Sequence, residues 1–345
     1  MMENTTFTLL DHNDSRWMEF VSSFPTANIF HHPVWINLLS RCYGYRPFIA
    51  AVMDANGQIK AGLPLLETIS LLNKRRWVSL PFSDYCTPLF TSLEVLNKLG
   101  KYLTEETCRQ KIADLELRWD YEAPDLFKLS EYVHTTITLY PDPADVQKNI
   151  KSNDFRKINI AGRKGIQVKK GTDTKFLDAF YRLHVLTRRR HGVPVQPLNY
   201  FKMLRDELLE KGFGFISLAY KDDECVAGGL FLNWNKTLIY KYAASNELGR
   251  QLYANDPIVW DAINWGCFNG YDTFDWGRSD TSNEGLRRFK NRWGSNEKPL
   301  YYSKNHESKN SGLGEKLTPI LNSFINKSPI WVCRLSGEFF YKYFG

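Results

Sequence analysis

Two segments of this 345-residue chain repeat one pattern at a distance of 166 residues. Gln58–Leu66 and Glu224–Leu232 each follow a strand-like run and a polar turn, and their Ala-Gly pairs coincide at Gly62 and Gly228. A β-hairpin that recurs at domain-length spacing indicates two copies of one α/β unit, because solenoid repeats recur at 20 to 50 residues. The repeat therefore limits the fold to two similar domains in tandem.

The length of the chain agrees with this interpretation, since about 100–200 residues per domain is usual. Pro141-Asp142-Pro143 interrupts the regular patterns and marks the expected junction. We therefore expect an N-terminal domain over residues 1–140, a C-terminal domain over residues 141–305 and a basic-aromatic tail over residues 306–345.

Helix and strand signals occur in the same order in both halves. The sequence predicts helices over 30–39, 92–103, 177–190 and 256–268, and strands over 47–53, 58–66, 77–80, 114–119, 213–220, 225–234, 238–244 and 271–276. The repeated order of helix, hairpin, strand, helix and strand predicts an α/β fold with central sheets flanked by helices.

The charge of the chain points to an anionic ligand. Lysine and arginine exceed acidic residues by seven, and one dense basic cluster lies between Lys148 and Lys170 while another is Arg188-Arg189-Arg190. Such clusters attract phosphates, nucleic acid or anionic lipid head groups. The six cysteines are scattered without metal-type or disulfide-type spacing, and no secretory signal is visible, so we expect a cytoplasmic protein with reduced thiols and no metal site.

The run Phe274–Gly277 is typical of a strand that ends in an acid and a glycine, and a basic run then leads to Lys290. A strand that breaks at Gly277 would place Asp275 and Lys290 at the mouth of a cleft, where both charges could meet a ligand. Asp275 could there orient or deprotonate an amine. We take Asp275 and Lys290 as the candidate catalytic residues.

Several motifs, most of them in the C-terminal half, together resemble a known family. They are Asn153–Ala161, Gly165–Val168, His184–Thr187, Arg190–Pro194, Tyr240–Ser245, Pro257 before a Trp-rich helix, Phe274–Gly277 and Gly285–Gly294. As a set they resemble the FemAB-related family, GNAT-like acyltransferases of the bacterial cell envelope. The resemblance covers about residues 1–305 and is strongest between 150 and 300.

The resemblance implies two tandem GNAT-like domains with mixed sheets. It also implies transfer of an acyl or aminoacyl group to an amine of a cell-envelope precursor, either a peptidoglycan peptide or an amino sugar. The donor would be aminoacyl-tRNA or acyl-CoA, without a tightly bound cofactor, and the family role of the lysine in the Phe-Lys motif implies that Lys290 neutralises negative charge. A Ser-His-Asp or Cys-His nucleophile cannot be placed, so we expect direct attack within a ternary complex.

The sequence leaves the donor open. The chain lacks the glycine-rich loop, Arg/Gln-x-x-Gly-x-Gly/Ala, that offers backbone N–H groups to the pyrophosphate of CoA, and its nearest segment, Gly249–Asp256, has one glycine. It also lacks the coiled-coil insertion of some tRNA-dependent members. An acetyl-CoA-dependent amino-sugar N-acetyltransferase of exopolysaccharide synthesis and an inactive GNAT-like binding protein remain as alternatives.

Nine residues are candidates for binding the substrate, which we expect to be an anionic small molecule or a lipid-linked glycan or peptide. They are Arg156, Lys157, His184, Thr187, Arg190, Tyr240, Tyr242, Arg278 and Glu284. Arg156 and Lys157 could hold a phosphate of a carrier or of tRNA. His184 and Thr187 lie one helical turn apart, and strand alternation would put both tyrosines on one face.

The tail from Lys316 mixes tryptophan, tyrosine and basic residues, a composition that suits the boundary between a membrane and water. We therefore expect peripheral contact with the inner face of the cytoplasmic membrane.

Overall fold

The computed structural model describes residues 5–70, 73–121 and 126–305, and, nearer the C-terminus, residues 325–326, 328–329, 332–334, 337 and 341. These residues form two compact units. The N-terminal unit holds the chain up to Val133 and also the segment that begins at Pro299, whereas the C-terminal unit holds His134–Lys298 and the described residues from 325 to 341. The predicted boundaries, after residues 140 and 305, each lie seven residues beyond these changes of unit.

The elements alternate between helices and strands along the chain. The strands are β1 Thr6–Leu10, β2 Arg46–Met53, β3 Ile59–Ile69, β4 Arg75–Val78, β5 Leu89–Phe90, β6 Asp114–Leu117, β7 Phe127–Thr138, β8 Ile166–Gly171, β9 Gly214–Lys221, β10 Glu224–Trp234, β11 Thr237–Ser245, β12 Thr273–Asp280 and β13 Asn296–Lys304. The α-helices are α1 Ser15–Ser22, α2 Pro33–Tyr43, α3 Leu93–Arg109, α4 Pro143–Gln147, α5 Ser152–Arg163, α6 Thr174–Arg190, α7 Leu198–Glu207, α8 Glu247–Gln251, α9 Asn255–Phe268 and α10 Glu284–Asn291. Short 3₁₀ turns occupy Ile29–His31 and Leu209–Lys211.

In the N-terminal unit the strand order is β1-β2-β3-β4-β6-β13, with β5 beside β3. Neighbouring strands in the row are antiparallel except β4 and β6, which run parallel because the chain crosses over through α3 between them. Gly62 of β3 lies under helix α1, where an added Cβ would stand 2.6 Å from the ring of Trp17. This glycine lets the aromatic ring pack directly on the sheet.

The C-terminal unit repeats this plan with the order β8-β9-β10-β11-β12-β7. Its one described parallel pair, β11 with β12, is joined through α9. Gly228 of β10 matches Gly62, since an added Cβ there would stand 3.0 Å from Phe180 of helix α6. The predicted α/β fold with an internal repeat is therefore confirmed, and the repeated glycine has the same packing role in both copies.

Two layers of helices cover the sheet of the C-terminal unit. Helices α5 and α9 contact each other, and the buried cluster on their side includes Phe231, Tyr240, Phe274 and Trp276. Helices α6 and α7 pack together, and α6 contacts β9, β10 and β11. Both faces of these central strands are thus buried, which explains their nearly continuous apolar character.

In the described part of the chain, no helix is both long and apolar enough to cross a bilayer. Most of the aromatic tail residues on which the predicted membrane contact rests, including Trp331, Phe339 and Phe340, lie outside the described residues. Of the described tail residues, Cys333 and Tyr341 are buried. Arg334 lies 5.6 Å from the ring centre of Tyr181 in α6, so this part of the tail packs on the C-terminal unit.

Candidate functional site

Gly277, inside strand β12, is held by both predicted catalytic residues. The Asp275 carboxylate accepts a hydrogen bond from the Gly277 N–H at 2.7 Å, while Lys290 Nζ donates to the Gly277 carbonyl at 3.0 Å. Lys290 also donates to the Arg278 carbonyl at 3.1 Å. The structure therefore brings Asp275 and Lys290 together around one glycine.

The two side chains do not stand at the mouth of a cleft as predicted. Asp275 is fully buried and Lys290 is 4% exposed. The predicted strand end at Gly277 is wrong, because β12 continues to Asp280. A φ of +66°, which costs glycine little, lets Gly277 redirect the backbone locally without ending the strand.

His134 of strand β7 is a further member of this site. Its Nε2 lies 2.8 Å from Oδ1 of Asp275, and the side chains of the two residues are 23% and 1% exposed. Because an ionised carboxylate only accepts hydrogen bonds, Nε2 carries the proton. Sequence analysis missed His134, which precedes Asp275 by 141 residues and gives no local signal within an ordinary strand.

Strands β11 and β12 separate beside this site. Their parallel ladder runs from Thr237 and Thr273 to Ile239 and Asp275, although both strands continue for at least another five residues. In α/β sheets, ligands commonly bind where neighbouring parallel strands part at their carboxyl ends. Asp275 is the last residue of β12 that pairs with β11, so the half-buried Arg278 lies just beyond the point of separation.

The prediction that Tyr240 and Tyr242 share one face of β11 is wrong. Leu230 pairs with Tyr242 and the next residue, Phe231, pairs with Tyr240, so Lys241 is the extra residue of a β-bulge. The Tyr240 ring stacks on Phe231 in the core beneath α9. Tyr242 instead contacts the aromatic rings of α6 and α7, and its hydroxyl lies 3.0 Å from that of Tyr200.

Three predicted substrate-binding residues of α6 have structural contacts. His184 is buried, its Nε2 lies 2.7 Å from Oε1 of Gln196, and burial together with the charge of Arg188 lowers its pKa to about 3. The Thr187 hydroxyl exchanges hydrogen bonds with the backbone of Ser245, and Arg190 donates to the Ser245 carbonyl at 2.9 Å. Thr187 and Arg190 thus fix the end of β11, and His184 is an uncharged core residue at neutral pH.

The remaining predicted residues lie apart from the Asp275–Lys290 site in the described contacts. Arg156 is exposed on α5, and Lys157 donates to Asp154 at 2.8 Å. Glu284 is exposed at the first residue of α10, whereas Lys290 lies in its last turn.

Asp256, at the start of α9, was also missed. It is buried and hydrogen-bonds Arg292, whose guanidinium also lies 3.9 Å from Asp154. Burial raises the pKa of Asp256 to about 6, although the attraction of Arg292 and Lys157 opposes that rise. An acid in the first turn of a helix suggests a cap, but the sequence does not show its pairing with Arg292.

A positively charged patch lies where α6 ends, close to α8. It consists of Arg188, Arg190 and Arg250 around His191, and Arg250 is also ion-paired with Glu247 of α8. Burial lowers the pKa of His191, and so do the neighbouring charges of the three arginines. The patch therefore concentrates positive potential beside the end of β11. Among the described residues, no group of three His, Cys, Asp or Glu side chains could hold a metal ion.

Comparison with known proteins defines the class. Residues 148–291 match the family model of the acetyltransferase (GNAT) domain. A structure of FemX superposes with a TM-score of 0.67 at 14% identity, over 92% of this chain and 100% of that one. A tandem GNAT protein from the clavulanic acid pathway reaches a TM-score of 0.55 at 10% identity, over 89% of this chain and 100% of that one.

A curated relative matches part of the chain. It is the UDP-N-acetylmuramoylpentapeptide-lysine N(6)-alanyltransferase of Weissella viridescens, 25% identical over 156 residues. The match covers 45% of this chain and 46% of the relative, so the chain spans about half the length of the protein it matches. With the GNAT domain match and the FemX-like fold, this match supports the resemblance to the FemAB-related GNAT family that the sequence motifs indicate.

Proposed function

We propose that this protein is an aminoacyltransferase that transfers an aminoacyl group to an amine of a cell-envelope precursor, a peptidoglycan peptide. The observation that carries the proposal is the convergence of Asp275 and Lys290 on Gly277, beside the opening between β11 and β12 of a GNAT domain. The name of the Weissella relative, which specifies a lysine N6 of a muramoyl pentapeptide as acceptor, supports the class of substrate.

The chemistry requires aligned reactants and stabilisation of a developing oxyanion. The acceptor amine attacks the carbonyl carbon of the donor ester, and negative charge builds on the carbonyl oxygen. Lys290 suits the role of stabilising it, because its ammonium group is fixed by two backbone carbonyls and is largely shielded from water. A preorganised cation acts more strongly in such surroundings than in bulk water.

The start of α9 argues for an aminoacyl-tRNA donor rather than acyl-CoA. A CoA pyrophosphate needs a glycine-rich turn and open N–H groups at a helix start. Here the first turn of α9 carries the carboxylate of Asp256, and in the preceding helix α8 the cap residue Asn246 accepts a hydrogen bond from Gly249 N at 2.8 Å. A Cβ on Gly249 would stand 2.2 Å from the carbonyl oxygen of Val226, so that glycine serves packing.

The basic patch at the end of α6 supports an RNA donor. Three arginines in one region can neutralise several backbone phosphates, a contribution that depends strongly on salt. We accordingly expect tRNA as a partner, and a cytoplasmic location where charged tRNA is present. Peripheral contact with the inner membrane surface would bring the enzyme to a lipid-linked acceptor, and co-sedimentation with anionic liposomes before and after deletion of residues 316–345 measures it.

A donor competition assay tests the function. The purified full chain is incubated with UDP-linked muramoyl pentapeptide and either a mixture of aminoacyl-tRNAs or acetyl-CoA, and products are identified by mass spectrometry. We expect an aminoacylated pentapeptide from the tRNA mixture and neither product nor thiol release from acetyl-CoA. Acetylation of an amino sugar with release of CoA would establish the alternative enzyme, and binding without turnover for every donor would show a protein that has lost the chemistry.

A further inference from the structure

We infer that His134 and Asp275 form a proton-accepting pair in the C-terminal unit, in which His134 takes the proton of the attacking amine and Asp275 positions its ring. The inference rests on the proposed function for the identity of the amine. It assigns His134 a catalytic role that the sequence motifs do not contain.

The geometry of the pair fits this division of roles. Asp275 is buried and accepts hydrogen bonds from His134 Nε2 at 2.8 Å and Gly277 N at 2.7 Å, so it holds the imidazole without reaching a substrate itself. With the proton on Nε2, the ring's lone pair lies on Nδ1. The side chain of His134 is 23% exposed, whereas that of Asp275 is 1% exposed. A buried carboxylate that orients a partly exposed imidazole is the arrangement used to activate amines and hydroxyls.

The N-terminal copy of the repeat has an equivalent acid whose partner is not a histidine. Glu116 ends the parallel ladder of β4 and β6 in the N-terminal unit, as Asp275 ends that of β11 and β12. Strand β13 lies beside Glu116, and its Lys304 is 3.0 Å from the Glu116 carboxylate. Strand β7 lies beside Asp275 in the same way and contributes His134. The two copies therefore share an acid that is paired with a basic residue from the next strand.

The chemistry of the two pairs differs. In the N-terminal unit, Arg118 at 3.0 Å and Arg76 at 3.8 Å join Lys304, so Glu116 lies among cations that stay charged at neutral pH. In the C-terminal unit the partner from the next strand is an imidazole, the side chain that gains and loses a proton near neutrality. The position of Arg118, two residues after the acid, is taken by Gly277, to which Lys290 donates. The copy that contains the GNAT motif therefore carries, at this position, a pair able to transfer a proton.

The nitrogen of the neutral acceptor amine forms a bond to the acyl carbon, and its N–H proton moves to Nδ1 of His134. Collapse of the tetrahedral intermediate breaks the bond from the acyl carbon to the ribose oxygen of the tRNA. That oxygen takes the proton back from the imidazolium, which leaves an amide, a free 3′-terminal hydroxyl and neutral His134. Lys290 stabilises the oxyanion meanwhile and keeps its own protons.

Chemical reactivity tests the pair without reference to any substrate. The full chain is treated with diethylpyrocarbonate at neutral pH, and the modified histidines are mapped and timed by mass spectrometry. We expect His134 to react and to react at a different rate in Asp275→Asn, and ¹⁵N NMR of the ring to show the proton on Nε2 in the wild type only. An unreactive His134 in the folded protein, or the same ring tautomer in both proteins, would overturn the inference even if the donor remained unidentified.

Turnover tests the role in catalysis. His134→Ala should lower kcat by about 100-fold or more, the usual contribution of a general base, and added imidazole should restore part of it. Thr138→Ala, an exposed change on the same strand, is the matched control and should keep kcat within about two-fold. If wild type turns over and a folded His134→Ala does so within about three-fold, His134 is not the base while the proposed function stands.

Discussion

Asp275 and Lys290 bind opposite polar groups of one residue: the carboxylate accepts from the Gly277 N–H and the ammonium donates to the Gly277 carbonyl. The position of the cation therefore depends on the same turn that holds the acid. A substitution at any one of these three residues should therefore alter the positions of the other two.

Replacing Lys290 tests the charge at the site. Lys290→Met keeps most of the side-chain volume and removes the ammonium, so we expect kcat to fall by about 100-fold to 1,000-fold, as when an oxyanion-stabilising donor is lost. The fall should appear in turnover with aminoacyl-tRNA. Arg288→Ala removes an exposed cation from the same helix and should leave turnover nearly unchanged. Near-normal activity of a folded Lys290→Met protein would contradict the role of the lysine.

Gly277→Ala tests the backbone conformation. At a φ of +66° an alanine pays a steric cost of about 1–2 kcal/mol, so the free energy of unfolding should fall by that amount and kcat should fall with it. Gly162→Ala in helix α5, where an added Cβ meets no neighbour within 4 Å, should instead stabilise by about 0.5 kcal/mol. Urea unfolding measures the change in the free energy of unfolding for both variants. If the two substitutions change it equally, backbone strain at Gly277 is not the cause.

Asp256 should make stability depend on pH in an unusual direction. Its folded pKa of about 6 lies above the ordinary value of 3.8, because burial disfavours the charged form. The folded protein therefore binds the proton more tightly, and stability should decrease as the pH rises from about 4 to about 6. Asp256→Asn should flatten this part of the curve, whereas Asp261→Asn on the same helix should not. If the dependence of stability on pH persists in Asp256→Asn, another titratable group causes it.

Glu116 should make stability depend on pH in the direction opposite to that of Asp256. Burial opposes its ionisation, but Arg118, Lys304 and Arg76 outweigh burial and hold its pKa at about 2, below the ordinary 4.5. Its contribution to stability is present above about pH 4.5 and is lost as the pH falls towards 2. Glu116→Gln should cost about 3 kcal/mol at pH 7 and remove that acid sensitivity, with no change in the reactivity of His134. Unfolding curves at pH 7 and pH 3 would measure the difference.

The sequence predicted the features that local patterns encode. The hairpins before Gly62 and Gly228 were predicted because turn residues and alternation are local, and the repeat then implied the duplicated fold. The relation between Tyr240 and Tyr242 was not predictable, because one extra residue, Lys241, reverses the alternation and a bulge leaves no clear mark in a sequence.

The site itself was predicted in part. Asp275 and Lys290 are candidates because the family motifs contain them, but their burial was not predicted, since a glycine kinks β12 without ending it. His134 reaches Asp275 only because strand β7 joins the sheet of the C-terminal unit, a pairing set by topology. The hydrogen bond between Asp256 and Arg292 likewise joins side chains 36 residues apart.

Strand β13 is the last strand of the N-terminal unit, although the ribosome makes it after the whole of His134–Lys298. Until residues 134–298 have been synthesised, the nascent N-terminal unit therefore has the edge of β6 uncovered and Glu116 without Lys304. Truncation before Pro299 would leave that edge permanently open to other chains. Stop codons between residues 134 and 298 should consequently yield insoluble protein rather than a working first half.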